Sequence, residues 1–422
     1  MNHQVEPVQP GWERTFALPP SKSVHQRALA LAALADGGVA LALAPDARPP
    51  GEDVVRCAEA MAALGRFADG ALGRGRETLA LDLGESGTAL RFALALATLR
   101  PTGARTLIRA RPVLLQRPHG PLRRALVSLG ARIKRRSSGA FRVVATPLQQ
   151  GARLTLDASR SSQYASALAL IAPRIGGLTL ALRGGATSRR YFDLTLAMLG
   201  DMGIAVDVDG DRIHVHAGAP RAERIEVPAD ASAAAAWWTA AALTGGRATV
   251  QGLSRAGRQA DLAMLDILER HGATVVETPE GVTVAGGAAA GERSAHVHDL
   301  SASPDLLFLV GALAAARPGE TVIEGVAHTR GKESDRVAVL VEGLRALGVT
   351  ADILSGDRVR VVGGGAHGGV VDAGGDHRAA FGFGVLGLAV PGVELAGAEV
   401  VAKSQRAFLA DLAAVGSQHS ET

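Results

Sequence analysis

Cysteine is almost absent from this sequence: Cys57 is the single cysteine among 422 residues. One cysteine excludes an intramolecular disulfide and any metal cluster built on several cysteines. We interpret Cys57 as a small core residue of a helix, and the sequence leads us to expect no metal site.

Aromatic residues are also scarce, at 3% of the chain, whereas alanine and glycine are abundant. This composition favours closely packed helices and tight turns over a β-sandwich with an aromatic core. No apolar run reaches the ~18 residues of a membrane-spanning helix, and the first residues lack the apolar core of a signal peptide. We therefore expect a cytoplasmic chain with no membrane partner.

A strong charge imbalance is missing too, since the formal net charge is only +4. The one basic cluster, residues 134–136, is short, so the sequence predicts no nucleic-acid partner. The length allows two or three domains.

What the sequence does contain is a repeat, in which a polar turn precedes an alanine-rich apolar helix. Successive copies are 66 to 74 residues apart and are marked by Ser21, Gly87, Ser161, Ser232, Ser303 and Asp376. An amphipathic helix that ends in glycine recurs between them, at Gly65, Gly130, Gly203, Gly272, Gly348 and Gly416. Two markers with one period indicate six copies of an α/β unit of about 70 residues.

Basic side chains occur at several of these helix starts. A helix N-terminus carries partial positive charge, so cations are unfavourable there unless an anion joins them. The residues concerned are Lys22, Arg27, Arg91, Lys332, Arg336 and Arg378. If the buried helices point to a common cleft, the pattern predicts a multiply charged substrate that carries a phosphate and a carboxylate.

The motifs at these positions resemble the 5-enolpyruvylshikimate-3-phosphate (EPSP) synthase family of enolpyruvyl transferases. The resemblance runs from Leu18 to Phe408. In chain order the motifs are PPSKSVHQR, GESGTALR, QRP (116–118), SSQ (161–163), SRRYFD (188–193), SPD (303–305), RGKESDR (330–336), DHR (376–378) and Ala402-Lys403.

The resemblance implies an α/β fold of two domains, each built from three βαβαββ units, with buried helices pointing to an interdomain cleft. One domain would combine residues 1–19 with 229–422, and the other would comprise residues 20–228. The implied reaction joins phosphoenolpyruvate to the 5-hydroxyl of shikimate 3-phosphate and releases phosphate, as in aromatic amino-acid biosynthesis. It needs no cofactor or metal, its partners are these two small molecules, and we expect a monomer.

The resemblance also assigns roles to residues. Shikimate 3-phosphate would be bound by Lys22, Ser23, Arg27, Ser161, Ser162, Gln163, Ser188, Tyr191, Asp305, His328 and Lys332. Phosphoenolpyruvate would be bound by Lys22, Gly87, Arg117, Gln163, Arg336, Arg378 and Lys403. Asp305, assisted by Lys22, would take the proton of the attacking hydroxyl, and Glu333 would handle the proton at the vinyl carbon. Which of these groups acts in which half-reaction stays open.

Four residues depart from the family pattern: Glu85 and Phe92 around the Gly87 loop, His328 in place of an asparagine, and Arg160, which adds a charge beside the serines assigned to the phosphate. They leave open an enolpyruvyl transferase that acts on another alcohol, such as a UDP-sugar or a nucleotide. Because Gly87 is retained, we expect inhibition by glyphosate. A more distant alternative is an RNA 3′-phosphate cyclase, which has related repeats. The catalytic histidine of that class has no counterpart here.

Overall fold

The structure is a computed structural model that describes residues 2–65, 78–184, 187–286, 294–355 and 358–417. Thirteen α-helices lie in these ranges. They are Lys22–Leu34 (α1), Glu52–Gly65 (α2), Gly87–Leu96 (α3), Pro112–Gln116 (α4), Gly120–Ser128 (α5), Gln163–Ile171 (α6), Arg189–Asp201 (α7), Ala231–Thr244 (α8), Ala263–Arg270 (α9), Leu307–Ala316 (α10), Arg336–Ala346 (α11), His377–Ala389 (α12) and Phe408–Gly416 (α13).

The same ranges contain twenty-one strands. They are Asn2–Gln4 (β1), Glu13–Phe16 (β2), Ala40–Leu43 (β3), Thr78–Asp82 (β4), Arg105–Arg109 (β5), Arg132–Arg135 (β6), Phe141–Val144 (β7), Ala152–Asp157 (β8), Leu178–Arg183 (β9), Val206–Asp209 (β10), Arg212–Val215 (β11), Arg224–Val227 (β12), Arg247–Gln251 (β13), Thr274–Thr278 (β14), Gly281–Ala285 (β15), Ser294–Asp299 (β16), Gly319–Glu324 (β17), Thr350–Ile353 (β18), Val359–Gly363 (β19), Gly369–Asp372 (β20) and Val393–Ala396 (β21).

The chain divides into two compact units, each with its own hydrophobic core. Unit 1 consists of residues 1–21, 43–51 and 228–422, and unit 2 of residues 22–42 and 52–227. None of the helices in the described ranges combines the length and apolarity that crossing a membrane requires. Cys57 lies in the core of unit 2, where burial raises the pKa of its thiol.

The sheets repeat one connection pattern. In unit 2, β8 pairs with β9 in parallel, β9 pairs antiparallel with β11, and β11 pairs antiparallel with β10. The strand orders β4-β5-β7-β6, β2-β13-β15-β14 and β16-β17-β19-β18 follow the same pattern. The two smaller sheets are β1-β21-β20 and β12-β3. The predicted fold of βαβαββ units is confirmed.

One helix of each repeat is largely apolar beyond its first turns and is mostly buried. In unit 1 these helices are α8, α10 and α12, which pack against one another. A Cβ on Gly382 would lie 2.5 Å from Cβ of Phe308, so α12 can approach α10 closely only with glycine at this position. In unit 2, α1, α3 and α6 pack together in the same way.

The amphipathic helices end at the predicted glycines, in two ways. Gly130, Gly203, Gly272 and Gly348 have φ between 76° and 108°. Glycine adopts this left-handed conformation readily, and it terminates a helix. Gly65 and Gly416 are instead the last helical residues of α2 and α13.

The structure differs from the expected domain limits at residues 43–51, which we had placed with residues 20–228. This segment packs in unit 1. The N–H of Arg48 donates to the carbonyl of Leu18, and its guanidinium pairs with Asp411 at 2.5 Å. A Cβ on Gly51 would lie 2.5 Å from the carbonyl oxygen of Lys403, so the two backbones touch.

Candidate active site

Arg27, in the first turns of α1, is a buried cation that connects α1 to α7. It is 2% exposed, and it donates hydrogen bonds to Oγ1 of Thr195 at 2.8 Å and to the carbonyl of Tyr191 at 2.7 Å. A third bond reaches the carbonyl of Ser23 at 2.7 Å. Burial lowers the pKa of Arg27 to about 10, so the side chain stays charged at neutral pH.

The ring of Phe92 explains one departure from the family pattern. Its centroid lies 5.8 Å from the guanidinium carbon of Arg27, within the range of a cation–π contact. Phe92 is fully buried on α3, so its ring belongs to the apolar surroundings of Arg27.

Lys22 pairs with an acidic residue that was not predicted from the sequence. Its Nζ lies 3.3 Å from Oδ2 of Asp53 in the first turn of α2. Gln26 donates to the carbonyl of Asp53 at 2.9 Å and to Oγ of Ser86 at 2.8 Å. The starts of α1, α2 and α3 therefore meet. A carboxylate in a first helical turn was the available signal for Asp53, since that position favours negative charge.

The starts of α3 and α6 meet around Gly87. Arg91 donates to Oε1 of Gln163 at 2.6 Å, and Gln163 donates to Oγ1 of Thr88 at 3.0 Å. A Cβ on Gly87 would lie 2.7 Å from one terminal nitrogen of Arg91 and 3.4 Å from one of Arg117. Glycine thus leaves room for two guanidiniums beside a helix start, an arrangement that suits an anion.

Three of the serines predicted to bind shikimate 3-phosphate precede two helices of unit 2. Ser162 and Ser188 come directly before α6 and α7, and both are buried. Oγ of Ser161 accepts the N–H of Gln163 at 3.3 Å. Ser188 has φ 56°, a left-handed conformation that is uncommon outside glycine and that occurs often at ligand sites.

Glu85, the second departure, lies in the loop before α3. Its Oε1 is 3.9 Å from Nε of Arg111, and both side chains are partly exposed. At this distance the two charges interact only weakly in water.

Arg336, at the start of α11, is the centre of a buried ionic cluster in unit 1. It is 2% exposed and contacts three carboxylates. The distances are 2.7 Å to Asp376, 2.7 Å to Asp305 and 3.1 Å to Glu333. Arg378 also binds Asp305, at 3.1 Å. We call Asp305, Glu333, Arg336, Asp376 and Arg378 the Arg336 cluster.

Cations determine the protonation state of Asp305. Burial by itself would raise its pKa, but Arg378, Arg336 and Lys332 together hold the pKa well below its usual range. The carboxylate is therefore ionised and can accept a proton. The three carboxylates likewise outweigh the effect of burial on Arg336, and they raise its pKa well above the ordinary value.

Glu333 joins a further cation to this cluster. Its Oε1 lies 3.6 Å from Nζ of Lys403, which ends the 3₁₀ helix Ala398–Lys403. His328 lies in the 3₁₀ helix Ala327–Gly331, just before Lys332, and is half-buried. The predicted acid–base residues thus occur among lysines and arginines.

Two acidic residues, one inside this cluster and one beside it, were not predicted as site residues. Asp376 is the N-cap of α12 and accepts the N–H of Arg378 at 2.9 Å. Asp261 accepts a hydrogen bond from Ser232. Burial and the charge of Asp305 raise the pKa of Asp261 to about 6.

A family model of EPSP synthase (3-phosphoshikimate 1-carboxyvinyltransferase) matches residues 12–412 of this sequence. The chain belongs to the EPSP synthase family. A relative from Methanosphaerula palustris named 3-phosphoshikimate 1-carboxyvinyltransferase is 36% identical, over 95% of this chain and 96% of its own length. The resemblance drawn from the motifs is confirmed.

Solved structures show the same fold. EPSP synthase from Acinetobacter baumannii superposes with a TM-score of 0.77 at 23% identity, covering 98% of this chain and 97% of the other. The enolpyruvyl transferase NikO from Streptomyces tendae gives a TM-score of 0.71 at 18% identity, with coverages of 98% and 96%. The EPSP synthase fold is therefore established for this chain, while the fold alone leaves the acceptor open.

The residues predicted from the EPSP synthase motifs divide between the units. Unit 2 carries Lys22, Ser23, Arg27, Gly87, Arg117, Ser161, Ser162, Gln163, Ser188 and Tyr191. Unit 1 carries Asp305, His328, Lys332, Glu333, Arg336, Arg378 and Lys403. Within each unit the contacts above bring several of them together, although their individual roles stay predictions.

Proposed function

We propose that this chain transfers the enolpyruvyl group of phosphoenolpyruvate to the 5-hydroxyl of shikimate 3-phosphate. The hydroxyl oxygen forms a bond to C2 of phosphoenolpyruvate while C3 gains a proton. The C2–O bond to phosphate then breaks, C3 loses a proton, and inorganic phosphate leaves. The reaction is redox-neutral and requires only proton transfer and the binding of anions.

The observation that carries the proposal is the Arg336 cluster, in which an ionised Asp305 lies between two guanidiniums. Arginine binds carboxylate and phosphate in bidentate fashion. A substrate anion that competes for Arg378 and Arg336 would weaken their hold on Asp305. The pKa of Asp305 would then rise towards the range in which a carboxylate is an effective base.

Glu333 supports the second proton transfer. It contacts both Arg336 and Lys403, so a substrate anion that binds either cation would change the charges around this carboxylate. We assign Glu333 to the proton at C3, with Lys332 and Lys403 as neighbouring cations.

The unit 2 residues supply groups for the phosphorylated acceptor. Buried serines and Gln163 match a phosphate and ring hydroxyls, and Arg27 with Lys22 provides positive charge. Gly87 and Arg117 offer a further anion position, which we assign to phosphoenolpyruvate. We also propose that the chain acts as a cytoplasmic monomer, because one chain carries every assigned residue and its single cysteine suits a reducing compartment.

The experiment is a phosphate-release assay on the purified chain with phosphoenolpyruvate and a panel of acceptors. We expect release with shikimate 3-phosphate, and a product whose mass equals the acceptor plus one enolpyruvyl group. Shikimate, UDP-N-acetylglucosamine and a free nucleotide are the comparison acceptors. Release that depends on one of these, with none from shikimate 3-phosphate, would overturn the proposal.

A further inference from the structure

Three histidines of unit 1 bring their imidazole rings together, and none of them belongs to the Arg336 cluster. His296 and His298 are two residues apart on β16, so their side chains leave the same face of the strand. His271 directly follows α9 and caps its C-terminal end. We call these three residues the histidine triad.

The nitrogen atoms of the triad are close enough to share one ion. One ligand nitrogen from each ring lies within 4.8 Å of the other two. Nε2 of His271 and Nε2 of His298 are 3.0 Å apart. Two nitrogens on a tetrahedral zinc are about 3.4 Å apart, given Zn–N bonds of 2.0–2.1 Å. A small rotation of the half-buried His296 would complete the set.

Metal ligation requires neutral imidazoles, and burial favours the neutral form. His271 is 7% and His298 2% exposed. Three neutral imidazoles without a thiolate suit zinc and its transition-metal neighbours better than calcium or magnesium.

We propose that the histidine triad binds a zinc ion through three imidazole nitrogens, with water as the fourth ligand. This departs from our expectation that the chain has no metal site. The ion would join the end of α9 to β16, and it would stabilise unit 1 without taking part in enolpyruvyl transfer.

Two arginines near the histidine triad would repel a bound cation. A terminal guanidinium nitrogen of Arg270 lies 3.4 Å from Nδ1 of His298, but this arginine is exposed, so its side chain can rotate into solvent. Arg317 donates to the carbonyls of His271 and Ala242, so it is fixed by the backbone. Replacement of Arg270 by glutamine should therefore tighten zinc binding, which no purely structural role of the histidines would predict.

The test is a titration of the chelator-treated full-length chain with Zn²⁺ by calorimetry, and with Co²⁺ by visible absorption. We expect one ion per chain, four-coordinate cobalt bands, and a zinc affinity that falls at least tenfold in His296→Asn. Arg270→Gln should increase the affinity several-fold. The matched control replaces His214 on β11 and His216, which directly follows this strand of unit 2; their ring centroids are 4.3 Å apart.

Three results would overturn the proposal. They are the absence of stoichiometric binding, an unchanged affinity in His296→Asn, and an equal loss in the His214→Asn/His216→Asn control. Because His296 is only half-buried, its replacement should leave the fold intact, and tryptophan fluorescence verifies this for each variant.

Discussion

Replacing Asp376 by asparagine, which breaks the buried ion pair with Arg336, should lower the free energy of unfolding. Asparagine at 376 removes the charge, and its side-chain oxygen can still cap α12 by accepting the N–H of Arg378, now at 2.9 Å. Removing one partner of a buried pair costs about 3–5 kcal/mol. We expect about 3 kcal/mol, the lower end of that range, because Asp305 and Glu333 still neutralise Arg336.

The assay uses the placement of the tryptophans. All three, Trp12, Trp237 and Trp238, lie in unit 1, so urea unfolding followed by tryptophan fluorescence reports on that unit. In a unit of this size the expected loss lowers the melting temperature by about 6–12 °C. Asp352→Asn, which removes an exposed charge, is the control and should cost under about 0.5 kcal/mol. If Asp376→Asn lowers the free energy of unfolding by less than about 1 kcal/mol, the reasoning is refuted, because breaking a buried ion pair should cost more than that.

Other predictions concern unit 2. Burial lowers the pKa of His119 to about 3. The neutral imidazole of His119 therefore makes its full contribution to the free energy of unfolding above about pH 6.5. That contribution is lost as the pH falls towards 3, by at most about 1.4 kcal/mol per pH unit. His119→Asn should flatten the pH dependence of urea unfolding followed by circular dichroism; an unchanged slope would contradict this. Gly87→Ala should displace Arg91. We expect the KM for phosphoenolpyruvate and the inhibition constant of glyphosate each to rise about tenfold, which corresponds to about 1.4 kcal/mol. Unaltered kinetics would contradict the assignment of Gly87 to phosphoenolpyruvate binding. Arg27→Lys should cost about 2 kcal/mol, because an ammonium cannot reach Thr195 and the backbone carbonyls together, and calorimetric melting would show it.

Local patterns predicted the repeating part of the fold. Apolar runs such as residues 307–316 have no polar face, and such a helix must be buried. Glycines after the amphipathic helices marked where those helices end. Because six copies share one period, the sequence also indicated that their polar starts recur, and the starts of α1, α3 and α6 do carry the residues singled out.

Long-range pairing was beyond the reach of such patterns. Asp53 lies 31 residues from Lys22, and Asp376 lies 40 residues from Arg336. Spacing along a chain does not say which charge meets which once helices pack. The sequence thus identified Arg336 as an anion-binding candidate and Asp305 and Glu333 as acid–base candidates, but it did not show that these carboxylates and Asp376 pair with Arg336. Residues 43–51 were misplaced for the same reason, because the contact with Asp411 is 363 residues distant.

The claim that the Arg336 cluster carries out enolpyruvyl transfer is tested most directly by the turnover of Asp305→Asn. Asparagine keeps the size of the side chain but cannot accept the hydroxyl proton. We predict that phosphate release from phosphoenolpyruvate and shikimate 3-phosphate falls by about 10²–10⁴-fold, with Asp352→Asn at the wild-type rate. Equal turnover of Asp305→Asn and Asp352→Asn would contradict the account.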